Sequence, residues 1–170
     1  MPTTETIVLH TWRLGDPQPP LPHPLGFAAG PTDDDGLVAR LAGLDRATVR
    51  ARRRAGHRPY VAWLDGTPVA YGWSAGRRAS IGEIGVRLAL RPGAHYLWDF
   101  ATLPAWRGRG VYPALLRAIV AHETPEAERF LIGHRASNLT SRRGIEKAGF
   151  RELGMLRPRP GGGAELVPAA

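Results

Sequence analysis

The sequence predicts an α/β protein of the α+β kind, with a mixed, mostly antiparallel central sheet and helices on both faces. Three observations predict it. Short apolar or alternating runs recur from Ile7 to Leu156, and two of them flank Asp65-Gly66, a strong hairpin signal. Helix-start residues stand at Asp33–Asp35, Asp45 and Asn138. The implied order is strand, two helices, three or four antiparallel strands, helix, strand, helix, strand, with no internal repeat and no domain break. One domain is therefore expected over residues 1–170.

Ile7–Leu14 alternates loosely and reads as the first strand. Residues 16–31 hold many prolines and glycines and predict an irregular loop. Asp33–Asp35 caps a helix carrying Leu37, Leu41 and Leu44. Asp45 caps a second helix, Ala47–Ala55, with Gly56 as its stop. Arg50, Arg52, Arg53 and Arg54 make that helix basic; a solvated face is the simpler reading, and a phosphate or nucleic-acid contact the alternative. Tyr60–Leu64 and Thr67–Ser74 form a hairpin. Ile84–Leu90 and Tyr96–Thr102 flank Pro92-Gly93 and read as another. Tyr112–His122 is a helix, with Leu115, Leu116, Ile119 and Val120 on its apolar side, and Arg129–His134 is a short buried strand. Asn138 caps a helix that closes at Ala148-Gly149-Phe150, and Phe150–Leu156 is a late strand. Residues 161–170 read as a frayed tail, or one more edge strand.

The chain has 170 residues and is 43% hydrophobic, enough for a sizeable core. It has no cysteine, which excludes disulfides, thiolate metal sites and a cysteine nucleophile. The histidines lack metal-ligand spacing, so no metal is expected. No apolar stretch is long enough to span a bilayer, and Met1 to Glu5 does not resemble a signal peptide, so a cytoplasmic location is the default expectation. The net charge of +8 comes almost wholly from arginine and suits a polyanion or a phosphate-bearing cofactor.

The most informative segment joins the Tyr96–Thr102 strand to the following helix through Leu103-Pro104-Ala105-Trp106-Arg107-Gly108-Arg109-Gly110. Two glycines let the backbone turn tightly and approach a ligand closely. The helix start leaves amide hydrogens unpaired beside the positive end of its dipole. Together they form a nest for a phosphate or pyrophosphate. Pro113 has no amide hydrogen, so the donors are those of Arg107, Gly108, Arg109, Gly110, Val111 and Tyr112. A plain strand-to-helix turn is the alternative. The glycine spacing fits neither a Walker loop nor a dinucleotide fingerprint.

Leu103-Pro104-x-x-Arg107-Gly108-x-Gly110-Val111 resembles motif A of the GCN5-related N-acetyltransferases. Asn138-Leu139-Thr140-Ser141, followed by Glu146-Lys147-Ala148-Gly149-Phe150, is similar to a second landmark of that family. The two stand in the right order and, with the element order, cover about residues 60–156. The resemblance implies that the Arg107–Tyr112 amides bind the pyrophosphate of coenzyme A (CoA). It implies that the strand ending at Ala101-Thr102-Leu103 pairs with the pantetheine arm, that an amide near Leu103 polarises the thioester, and that Asn138 and Ser141 flank the arm or the helix end. An amine acceptor then attacks acetyl-CoA directly. A homodimer is compatible with the family.

Two departures stand out. The last motif-A position is usually Gly or Ala and here is Tyr112. The family's frequent general acid, a tyrosine seven residues after the asparagine, is here Ile145. Asp99, an acid within an apolar run, is a candidate to bind or deprotonate the amine, and Glu83 a candidate to line the acceptor side. A carboxylate satisfied by its neighbours and a solvated turn residue are their respective alternatives. His134 reads as a packed or hydrogen-bonded residue. The leading expectation is an N-acetyltransferase. A CoA-binding protein without turnover, favoured by Ile145, and a nucleic-acid-binding basic module are the competing readings.

Overall fold

The computed structural model describes residues 5–170; residues 1–4, most of the stretch weighed as a signal peptide, lie outside the described residues. The chain forms β1 (Ile7–Arg13), β2 (Phe27–Pro31), α1 (Asp35–Ala42), α2 (Arg46–Arg54), β3 (His57–Leu64), β4 (Thr67–Ala75), β5 (Arg78–Ile81), β6 (Val86–Ala89), β7 (Ala94–Thr102), α3 (Val111–Glu123), β8 (Arg129–Arg135), α4 (Leu139–Lys147), β9 (Arg151–Pro158) and β10 (Ala164–Pro168). Eight strands make one sheet in the order β10-β9-β1-β8-β7-β4-β3-β2, while β5 and β6 form a separate ribbon. The β7–β8 pair is parallel and the other pairings are antiparallel.

Side chains alternate across the strands, so each strand feeds two layers. Tyr60, Ala62, Leu97, Phe130 and Ile132 pack against Leu115, Leu116 and Ile119 of α3 and Ile145 of α4. On the opposite face Val61, Tyr71 and Trp73 meet Val38 of α1 and Val49 of α2, and Ile7, Leu9 and Tyr96 meet the ribbon through Ala79 and Ile81. Each fully buried large apolar side chain contributes about 1.5–3 kcal/mol. The caps hold as the sequence implies: Asp34 Oδ1 accepts the Leu37 amide at 2.9 Å, Asp45 Oδ1 that of Thr48 at 2.6 Å, and Asn138 Oδ1 that of Ser141 at 3.0 Å.

Two sequence expectations are corrected, and one left between two readings is decided. The expected loop 16–31 ends in a strand, β2, which pairs with β3 at the sheet edge. Gly30 and Pro31 read as breakers, but an edge strand tolerates a proline. The expected hairpin of Ile84–Leu90 with Tyr96–Thr102 does not form. Residues 82–84 are a 3-10 turn joining β5 to β6, and β7 lies between β4 and β8, with Trp98 opposite Trp73 and Leu97 opposite Ile132. Tyr96 and Leu97 point to opposite faces and are both buried, as suits a central strand rather than an arm of a hairpin. Of the two readings of residues 161–170, the edge strand forms: β10 pairs with β9, placing Leu166 opposite Leu156.

Candidate active site

β7 and β8 pair only from Ala94 opposite Arg129 to Leu97 opposite Ile132. Beyond that point β7 stays with β4 and β8 stays with β1, so the two strands part. The gap opens into a cleft of about 740 Å³, lined along β7 by Leu97 to Thr102 and along β8 by Ile132 to Arg135. The cause of the parting lies in β7. Trp73 faces Trp98 and Tyr71 faces Ala101, which leaves Asp99 and Phe100 opposite Gly72 alone. This is a β-bulge, and Asp99 sits in the left-handed region at φ 52°. Gly72 is required there: a Cβ on it would stand 2.0 Å from the Phe100 ring.

Past the bulge the Leu103 amide donates to Val69 O at 2.8 Å. It is therefore turned toward β4 and is not the group that faces a thioester. By alternation the Thr102 amide and carbonyl face the cleft. The Thr102 carbonyl indeed accepts Arg107 Nε at 3.1 Å.

Gly110 ends the loop at φ 77° and α3 begins at Val111. The Arg107 amide turns back to Pro104 O at 3.4 Å, so the donor row is shorter by one residue than the sequence implied. Among the described residues the amides of Gly108, Arg109, Gly110, Val111 and Tyr112 donate to no backbone acceptor. They stand at the positive end of a 13-residue helix, an arrangement that suits an anion. Arg109 stacks on Trp106, with its guanidinium 4.8 Å from the ring centre.

Across the cleft stands α4. Asn138 and Ser141 line the cleft, as do two cations, Arg143, which the sequence reading does not single out, and Lys147, which it names only within the closing motif. Their i, i+4 spacing on a capped helix would have been the signal. Ile145 is fully buried in the core beneath α3 and does not line the cleft. Tyr112 does, and its hydroxyl lies 3.3 Å from Ser141 Oγ.

Asp99 also lines the cleft, but its Oδ2 lies 2.5 Å from Arg52 Nη1 of α2. The Arg52 guanidinium stacks on Trp98 and Trp73, at 4.5 and 5.0 Å from the ring centres. Arg53 binds Asp35 Oδ1 at 2.6 Å, and Arg50 lies 3.4 Å from Asp35 Oδ2. The basic helix is thus only partly a solvated face: Arg52 and Arg53 are half-buried in ion pairs with Asp99 and Asp35, while Arg50 and Arg54 stay exposed. Glu83 is exposed in the 3-10 turn and borders the cleft.

His134 borders the cleft and is buried. Its Nδ1 lies 2.7 Å from the Arg135 carbonyl, and its ring centre lies 5.2 Å from that of His10. His10 is fully buried with neither nitrogen hydrogen-bonded, and Glu146 Oε1, at 3.9 Å, is too distant to help. Burial, with His134 beside it, holds the His10 imidazole down to about 4. A group depressed in the folded state stabilises the fold above its unfolded value of 6.5, and that stability is lost as pH falls toward 4. Between pH 6.5 and 4.5 the protein is expected to lose roughly 2–3 kcal/mol. Urea unfolding at the two pH values measures the loss, and His10→Leu should flatten it; an equal loss in the variant would place its origin elsewhere.

The family model of the acetyltransferase (GNAT) family matches residues 23–150. The chain belongs to that family. No curated protein matches it in sequence. Among solved structures, a GNAT-family protein from Novosphingobium aromaticivorans DSM 12444 is 21% identical with a TM-score of 0.62, over 89% of this chain and 61% of that one. The yncA protein of Salmonella typhimurium, solved with its cofactor acetyl-CoA, is 16% identical with a TM-score of 0.55, over 74% of this chain and 80% of that one. AAC(6')-Iy, in complex with the bisubstrate analogue CoA-S-monomethyl-acetylneamine, is 17% identical with a TM-score of 0.56, over 74% of this chain and 91% of that one. At these identities the likeness is one of fold. This GNAT chain spans 61% of the length of the Novosphingobium protein. No helix among the described residues is long and apolar enough to cross a membrane.

Proposed function

We propose that this GNAT chain transfers an acetyl group from acetyl-CoA to an amine. The observation that carries the reading is the row of unpaired amides from Gly108 to Tyr112, opening onto the cleft between the parted strands. The pyrophosphate binds those amides, and Arg143 and Lys147 add charge at the same mouth. The pantetheine arm lies between β7 and β8, taking the place of the missing strand pairing along Ala101–Leu103. Asn138 is spent on capping α4 through its oxygen, leaving its amide nitrogen for the arm. The acceptor enters past Asp99 and Glu83. The amine nitrogen attacks the thioester carbon directly, and the protein contributes orientation and polar stabilisation of the developing charge. With Arg52 on one Asp99 oxygen, the second oxygen is the one left to receive an ammonium.

The pairing of Arg50, Arg52 and Arg53 within the fold weighs against the nucleic-acid reading. The second reading, a CoA-binding protein without turnover, draws on Ile145, which brings no hydroxyl to the cleft. Melting curves with and without acetyl-CoA, together with thiol release over a panel of primary amines, separate the two. A melting shift with amine-dependent thiol release supports transfer. A shift with no release for any amine supports binding alone, and no shift removes both.

A further inference from the structure

We propose that Tyr112 supplies the hydroxyl donor to the departing sulfur that Ile145 cannot supply. The inference rests on the transferase reading. It starts from a coupled pair of residues. Tyr112 projects from the first turn of α3 across to α4, where position 144 is a glycine. A Cβ on Gly144 would stand 2.4 Å from Tyr112 Cδ1, so any other residue there would displace the ring. The other side of the ring meets Phe100, at 5.6 Å between ring centres, one residue past Asp99 in the bulge. The hydroxyl is then held beside Ser141 Oγ on the wall of the cleft. The phenol thus bridges the bulge and α4, the two elements between which the thioester end of a bound acetyl-CoA would lie. Ile145, one residue beyond Gly144, turns into the core.

Burial pushes the Tyr112 phenol up to about 12, against a smaller opposing pull from Ser141, so it stays protonated at working pH. A phenol holding its proton more tightly than a thiol, about 8.5, acts as a hydrogen-bond donor to the thiolate and not as its final acid. The step balances as follows. The amine lone pair forms the C–N bond, the C–S bond breaks, and its electron pair moves to sulfur under the Tyr112 O–H. The surplus amine proton leaves to solvent, and a solvent proton completes the thiol, while Tyr112 ends as it began. A hydrogen bond to a charged group contributes about 1.5–3 kcal/mol, or roughly ten- to a hundredfold in rate.

Tyr112→Phe keeps the ring, its contact with Gly144 and its packing on Phe100, and removes only the hydroxyl. Thiol release from acetyl-CoA, with the most active amine of the panel, should fall roughly ten- to a hundredfold in kcat. The melting shift with acetyl-CoA and the KM for acetyl-CoA should stay within about threefold of wild type in affinity terms, because the phosphate amides are untouched. Ile145→Ala, folded, should keep kcat within about threefold, because that side chain does not reach the cleft. A Tyr112→Phe protein with unchanged kcat overturns the inference alone. So does one that changes only KM, which would show the hydroxyl gripping the cofactor in the ground state. A wild-type protein that releases no thiol with any amine overturns the transferase reading and the inference together.

Discussion

Gly110→Asp is expected to abolish the rise in melting temperature that acetyl-CoA gives the wild-type protein. Gly110 sits at φ 77°, a conformation that costs an L-residue about 1–2 kcal/mol, and it stands in the middle of the unpaired amides. The substitution also puts a carboxylate where the pyrophosphate accepts hydrogen bonds. Like charges at such distances cost several kcal/mol, which is more than a hundredfold in affinity. Ligand stabilisation follows RT ln(1 + [L]/Kd), so a loss of that size removes the shift at concentrations near the wild-type Kd. Gly110→Asn tolerates the same backbone and carries no charge; it should keep a reduced shift and so separates charge from geometry. A folded Gly110→Asp protein with the full shift would remove this loop from cofactor binding.

Glu123→Ala is expected to be the most destabilising single substitution considered. Glu123, the last residue of α3, is 1% exposed. Its carboxylate accepts the Tyr60 hydroxyl at 2.8 Å and the Ser74 hydroxyl at 2.6 Å, and meets His95 Nδ1 at 2.5 Å, with Arg58 Nη1 at 3.5 Å. Burial alone would push the carboxyl up; the His95, Ser74 and Tyr60 contacts outweigh it and hold Glu123 below the ordinary range. Its contribution is therefore present above the unfolded value and lost as pH falls through the lower folded one. Removing one partner of a buried charged network costs about 3–5 kcal/mol. For a chain of this size that is roughly 6–20 °C in Tm. The acetyl-CoA shift should survive, because Glu123 lies at the end of α3 remote from the loop. A loss below about 1 kcal/mol in chemical unfolding would mean that the network is not what ties α3 to the sheet.

The parts of this molecule that were legible in the sequence are those whose cause is local. Asp65-Gly66 forces the β3–β4 turn, and the caps at Asp45 and Asn138 act three residues ahead. The free amides from Gly108 to Tyr112 arise from that segment's own glycines and its own helix, although Arg107 is not among them. What was misread depends on distant partners. Pro92-Gly93 looks like a hairpin turn, yet β7 has apolar residues for two faces and takes β4 and β8 as neighbours instead. Arg52 looks solvated until Trp73, Trp98 and Asp99 arrive from β4 and β7. Tyr112 and Gly144 mean little apart, and only the α3–α4 contact shows that one makes room for the other. Glu123 and His10 give no signal because burial of a charged or titratable group is decided by the sheet order. Ile145 carries no proton to donate, and its place in the core is set by the packing of α4 against α3 and the sheet.

The most direct test is a crystal structure with acetyl-CoA bound. The expected result places pyrophosphate oxygens within about 3.2 Å of amides between Gly108 and Tyr112, with the pantetheine arm between β7 and β8. A cofactor bound elsewhere, or crystals that take up none at millimolar acetyl-CoA while the Gly108–Tyr112 loop is open to solvent, would contradict it.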